Sequence, residues 1–201
     1  MPKPVFFSKV YNPFDYIAGG RALFIGLLFL MLSVFLGFYF NGRFDGVLNL
    51  HFVEKVSLIE VLFDQLVNFV SLVLILFLTA LAFGAKGTRF IDVAGTIALA
   101  LIPFSIAPLL NVNSFFYKTS MVLGKTALEG GELDLQTNAV IGLAVITFIL
   151  LVLMVWTVAL LFNAYKTSTN LKSGKLVGSF ITGLVLAIVV SIYITRNFSL
   201  Q

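Results

Sequence analysis

The chain has 201 residues, of which 60% are hydrophobic and 11% charged, with 22 phenylalanines and a formal net charge of +4. Soluble domains carry roughly a quarter of their residues as charged side chains, so this composition excludes an ordinary water-facing surface. The lack of any cysteine excludes disulfides, thiolate nucleophiles, iron–sulfur clusters and cysteine-type zinc sites.

Five apolar blocks, residues 22–40, 67–83, 93–110, 139–162 and 176–194, contain no Lys, Arg, Asp or Glu. A charged side chain at a bilayer centre costs roughly 2.5 to 3.5 kcal/mol on insertion scales, so this segregation is the pattern of an integral membrane protein. Each block approaches or exceeds the roughly 20 residues that cross about 30 Å of hydrocarbon. The expected fold is therefore all-α, a single membrane domain over residues 1–201 with five transmembrane helices and no buried ionisable group. The residues after the first block, Phe38, Tyr39, Phe40 and Asn41, do not suit a signal peptidase, so the first helix is expected to stay as an anchor.

Basic residues set the orientation. Lys3, Lys9, Arg21, Lys86, Arg89, Lys166, Lys172 and Lys175, eight in all, fall on one side, and Arg43, Lys55, Lys118, Lys125 and Arg196, five in all, on the other. The reading is amino terminus cytoplasmic and carboxy terminus outside. Lys86, Arg89, Lys166, Lys172 and Lys175 then form a basic inner face suited to anionic headgroups or a protein partner.

The first outer connection, residues 41–66, has Leu50, Phe52, Val53, Val56, Ile59, Phe63 and Leu66 at helical spacing, which predicts an interfacial helix leading into an early-starting helix 2. Glu54, Glu60 and Asp64 fall on or near the interface. The short basic turns at 84–92 and 163–175 predict antiparallel pairing of helices 2 and 3 and of helices 4 and 5. In helix 3, Pro103 and Pro108 each remove a backbone donor and clash with the carbonyl four residues back, so a kink or broken end is expected. Small residues around them, among them Gly95, Ala98 and Ser105, suit a central position in the bundle. In the outer connection at 111–138, Gly130 and Gly131 break the chain and Asp134 suits a cap. Helix 4 carries Trp156, expected to be packed. Helix 5 opens with Gly174, Gly178 and Thr182, a small-residue stripe for close contact inside one chain or in a homo-oligomer.

The search for chemistry returns no catalytic, cofactor-binding or metal-binding set. His51 is the single histidine. The run from Gly124 to Thr126 ends like a phosphate-binding loop, but Thr119 stands where that loop needs glycine. Ser71, Thr79, Ser105, Thr147, Thr157 and Ser191 lack an activating base and are expected to bond their own helix backbone. Asn197, Phe198 and Ser199 match a glycosylation sequon placed too close to the membrane to count.

The order of segments resembles a known family. An entry of Asn12, Pro13, Phe14, Tyr16 and Ile17 precedes helix 1. A turn of Lys86, Gly87, Thr88, Phe90 and Asp92 leads into a helix with the late Pro103, and Trp156 precedes a Ser/Lys-rich turn ending at Lys175. Together these look like the bacterial members of the Yip1 domain family. The resemblance implies five membrane helices with a cytoplasmic amino terminus in a bacterial inner (cytoplasmic) membrane. Eukaryotic relatives act in trafficking through protein contacts and membrane shaping, with Rab-type GTPases as partners. This chain is expected to lack their long amino-terminal extension, and the Asp-Leu-Tyr-Gly-Pro signature does not occur in its sequence.

Two functions follow as expectations. The first is a non-enzymatic scaffold for membrane organisation, whose partners are membrane lipids and an unknown protein, with no cofactor and no nucleic acid. The alternative is a small transporter, channel or substrate-binding component, with a site beside the Pro-interrupted helix lined by Ser105, Asn111 and Thr147.

Overall fold

An Asn-Pro step opens the described part of the chain, which covers residues 12–129 and 136–198 of a computed structural model. Lys3, Lys9, Gly130, Gly131, Glu132, Asp134 and Ser199 lie outside the described residues. Pro13 starts a single 3-10 turn, Pro13–Asp15, in which Tyr16 and Ile17 both donate to the Pro13 carbonyl and the Asn12 amide donates to Asp15. The turn drives Phe14 into the core, where it is 2% exposed.

Seven helices and one hairpin follow. Helix α1 is Gly19–Tyr39, strands β1 and β2 are Gly42–Gly46 and Asn49–Phe52, and α2 is Leu58–Ala82. Next come α3, Phe90–Ala100; α4, Ile102–Ser105; a 3-10 segment, Ala107–Ser114; and α5, Phe115–Glu129. The chain ends with α6, Thr137–Thr169, and α7, Ser173–Asn197. Four of these, α1, α2, α6 and α7, are long and apolar enough to cross a membrane, and the bent run from Phe90 to Glu129 makes up to a fifth. The protein is thus mostly helical and of multi-span type, with one two-stranded sheet where an all-α chain was expected.

The hairpin replaces the first part of the expected interfacial helix. Asn41 turns the chain with a left-handed φ of 53°, and β1 then alternates buried and half-buried residues, as a pleated strand does. Cross-strand pairs put Gly42 opposite Phe52 and Arg43 opposite His51. Helical spacing is realised only from Leu58, where a capping box fixes the start of α2: the Ser57 hydroxyl accepts from the Glu60 N–H, and the Glu60 carboxylate accepts from the Ser57 N–H. The expected early start of helix 2 is therefore present.

Close backbone approach organises the bundle. In lipid the helices gain little from apolar burial alone, so contact favours small residues. Gly26 on α1 lies against the backbone of Ala98 and Leu99, and Gly95 on α3 lies against the Gly19 carbonyl and Ala22. Helices α1 and α3 therefore run side by side in the same direction. Val93–Ala100 is buried along its whole length, which places α3 at the centre. On α7, a β-carbon added at Gly183 would sit 2.6 Å from Thr79 Oγ1 and 2.8 Å from Leu76 Cδ2, so α2 and α7 pack equally tightly. Edge-to-face ring contacts join Phe77 with Phe90 (5.4 Å) and Phe162 with Phe180 (5.2 Å) beside the short turns, but the expected pair of helices 4 and 5 meets little beyond its turn, since α6 packs mainly on α3. The closest packing is nevertheless α1 with α3 and α2 with α7, because the glycines lie on those faces.

The third apolar block is not one helix. Helix α3 ends at Ala100, and the axis bends by 48° between Phe90–Ala100 and the run beginning at Ile102. Pro103 and Pro108 are both buried in the first turns of the short segments after the break, where a missing N–H costs least. Helix α6 exceeds its expected bounds: 33 residues make about 50 Å at 1.5 Å per residue, longer than the hydrocarbon core. It buries side chains mainly in its last turns, and Trp156 is 39% exposed on its flank instead of packed.

Candidate functional site

The two ends of the bundle differ in chemistry. At the end where α1 finishes and α2 begins, the hairpin is wedged among helix termini and tied to α2 and α7. Arg43 on β1 donates through Nε to Asp64 Oδ2 at 3.0 Å and through Nη2 to Oδ1 at 3.2 Å, a two-pronged pair to a carboxylate with no exposed surface. Glu60 lies 3.6 Å from Nη1 of the same guanidinium. The Asn68 amide donates to the Phe44 carbonyl at 2.6 Å, and Gln65 joins α2 to Ser33 of α1 at 2.6 Å. From α7, Ser191 accepts from the Val47 N–H at 3.2 Å and Thr195 donates to the Asp45 carbonyl at 2.9 Å. Asn111 donates to the Phe40 carbonyl at 2.8 Å and accepts from the Tyr117 N–H, which anchors the end of the broken run to the same corner.

This cluster corrects the expectation of a bundle without buried ionisable groups. Asp64 is fully buried within the fold, and its charge is balanced by Arg43 of the hairpin. A polar stripe on α2 carried the signal: Glu60, Asp64, Asn68 and Ser71 recur three or four residues apart on an otherwise apolar helix. What the sequence did not supply was the strand that brings Arg43 opposite that stripe.

Asp64 and its neighbours hold the Arg43 guanidinium more firmly protonated than usual, chiefly through the Asp64 hydrogen bond, although burial works the other way. At the hairpin edge burial pushes Asp45 toward its neutral form, but the bond from His51 at 3.0 Å, its own backbone and nearby Arg196 together hold it below the usual carboxylate range. Asn49 also donates to Asp45, at 2.8 Å. These charges satisfy one another, so the cluster acts as a clasp. Beneath it, the space lined by Leu30, Phe44, Gln65, Asn68 and Phe104 measures about 10 Å³, roughly the room for one water.

The opposite end exposes its charge. Lys86 and Arg89 lie exposed in the turn between α2 and α3, and Lys166, Lys172 and Lys175 flank the turn between α6 and α7. The two turns belong to one end, since Gly178 near the start of α7 lies against the Phe83 ring at the end of α2, while α2 begins and α7 finishes at the hairpin. Arg89 reaches Asp92 at 3.1 Å, and the four lysines make no ion pair among the described residues.

The other sequence-derived candidates are placed as follows. Gly174 has no atom within 4 Å of where its β-carbon would be, Gly178 approaches the Phe83 ring at 3.7 Å, and Thr182 is exposed. The stripe of α7 that packs inside the chain is instead Ser179, Gly183, Ala187, Ser191 and Thr195. Ser105, Asn111 and Thr147 do not converge: each lines a different cavity, and their side chains bond the carbonyls of Leu101, Phe40 and Leu143. Thr79 likewise bonds its own helix, at the Ile75 carbonyl. Thr157 Oγ1 is buried with no hydrogen-bond partner among the described residues. No family model, curated protein or solved structure matches the chain.

Proposed function

We propose that the chain is a non-enzymatic five-span membrane protein of the Yip1 type, amino terminus cytoplasmic and carboxy terminus outside, that organises membrane by presenting its basic end to anionic lipid or a protein partner. Five spans follow if the bent run crosses, and its ends favour that. It begins beside Gly19 at one end of α1 and reaches Phe40 at the other through Asn111. The basic-rich end is then cytoplasmic by the positive-inside rule, in the inner membrane of a bacterial cell.

One observation carries the functional reading: Lys86, Lys166, Lys172 and Lys175 stand exposed on two adjacent turns with no ion pair among the described residues, whereas at the hairpin end Arg43, Glu60 and Asp64 are consumed by one another and the exposed charges, such as Glu54 and Lys55, are of mixed sign. Each basic side chain near an anionic surface contributes roughly 1 kcal/mol, and screening by salt weakens it. Protein reconstituted in phosphatidylcholine liposomes should capture phosphatidylglycerol vesicles in a co-flotation assay, and capture should fall with added salt. Lys166→Glu with Lys172→Glu and Lys175→Glu should abolish it. Capture that ignores both salt and charge reversal would sink the reading.

A further inference from the structure

Helices α6 and α7 touch near Phe162 and Phe180 and then diverge toward the hairpin, which leaves an apolar groove between them. Leu48, Met154, Val158, Ala159, Phe162 and Val177 are among its walls, and its volume is about 610 Å³, within the range of small-molecule sites. A second hollow of about 240 Å³ shares Leu48 and Met154 and carries the apolar track onward past Leu150.

The groove points at a cation. On α6 the wall residues Val158 and Phe162 are four apart, and Lys166 is the next position in that row, one turn beyond the groove. Lys172 caps α7 just before Val177. Both lysines are exposed and make no ion pair among the described residues. A lysine beside an apolar groove can lay its stem on the apolar surface and keep its ammonium group in water. Lys175, within the first turn of α7, lies about 200° around it from Val177 at 100° per residue and so faces away from the groove, whereas Lys172 at the cap has an extended backbone, φ −129° and ψ 156°, and does not follow that rotation.

We infer that the α6–α7 groove holds one anionic phospholipid, its acyl chain lying along Met154, Val158, Ala159 and Phe162 and its phosphate between Lys166 and Lys172. The occupant is argued from charge complementarity: an elongated apolar track ends at two free cations at headgroup depth, which matches a molecule with a hydrocarbon tail and one negative head. This inference rests on the proposal that the basic end takes anionic partners and narrows it to a single place.

The test is an intact-complex mass spectrum of the detergent-purified protein, incubated with equal amounts of phosphatidylglycerol and phosphatidylcholine bearing identical acyl chains. One retained phosphatidylglycerol is expected, preferred on the order of tenfold. Lys166→Gln with Lys172→Gln should bring the preference to parity, whereas Lys175→Gln should leave it in place. Ala159→Trp should fill the groove and reduce retention of both lipids, with a thermal melt as the folding control. If that variant does not fold, the glutamine variants decide alone. Parity in the unsubstituted protein overturns the inference. So does a preference that survives loss of Lys166 and Lys172, or a second copy of the chain in the groove, read as a dimer that Ala159→Trp splits without touching lipid retention. The two proposals fail separately: a folded Ala159→Trp protein that still captures vesicles but retains no lipid matches both, and vesicle capture lost with the lipid still held would remove only the broader one.

Discussion

The hairpin end and the basic end of this bundle use charge in opposite ways. At the hairpin end Arg43, Asp64 and Glu60 meet one another in a partly or fully buried setting, and α2 and α7 each hydrogen-bond the hairpin between them. At the basic end Lys86, Lys166, Lys172 and Lys175 are exposed and make no ion pair among the described residues. The difference teaches that charge count does not identify a working surface in such a chain. A buried, mutually satisfied charge fixes geometry, and an exposed, unsatisfied one is available to something else.

Substitution at the clasp should show the contrast at its largest. Asp64→Ala strands the Arg43 guanidinium and should destabilise the protein by about 3 to 5 kcal/mol, measured as a lowered melting temperature in detergent. Replacing both partners, Arg43→Met with Asp64→Leu, should recover most of that loss, since a buried pair is worth little over an apolar one of similar volume. A smaller effect is expected from packing. Gly26→Leu must push α1 off Ala98 and Leu99 and should cost about 1 to 3 kcal/mol or more, whereas Gly174→Leu, in open space, should stay within about 0.5 kcal/mol. Asn68→Ala, which leaves the Phe44 carbonyl unpaired, should cost about 1 kcal/mol or somewhat more.

At the basic end, neutralising Lys166, Lys172 and Lys175 together should leave the melting temperature nearly unchanged while abolishing capture of anionic vesicles. Equal damage to folding from the two ends would erase the distinction. The smallest effect is one of pH. Asp45 has a folded-state pKa below its ordinary value, so its contribution to stability is present above the unfolded value near 3.8 and is lost as pH falls through the lower folded one. An acid melt should therefore show a small extra loss below that pH, and Asp45→Asn should remove it.

Much of the fold was legible because lipid imposes a simple rule: charge stays out of long spans, and four of the five apolar blocks became long helices. The third was read as kinked from Pro103 and Pro108, but the path of the chain after Ala100 depends on contacts with Phe40 and α1 that no local pattern encodes. The hairpin was hidden for a similar reason. Residues 50–66 fit a helical stripe and only the part after Ser57 is helix, because Asn41 and the close approaches at Gly37 and Gly42 fold the preceding segment back as strands. The partner of Asp64 was therefore out of reach of sequence spacing. Lys86, Arg89, Lys172 and Lys175 lie exposed in or beside the short turns that the sequence already marked, where little tertiary structure competes for them.

The arrangement of the two ends across a membrane is open to direct measurement because the chain contains no cysteine. Single substitutions His51→Cys at the hairpin, Lys172→Cys at the basic turn and Phe198→Cys after α7 can each be labelled in whole cells with a membrane-impermeant maleimide. Five spans with a basic cytoplasmic face predict that Cys at 51 and 198 reacts from outside and that Cys at 172 reacts only after permeabilisation. Labelling of position 172 in intact cells, or of 198 only after permeabilisation, would contradict the account.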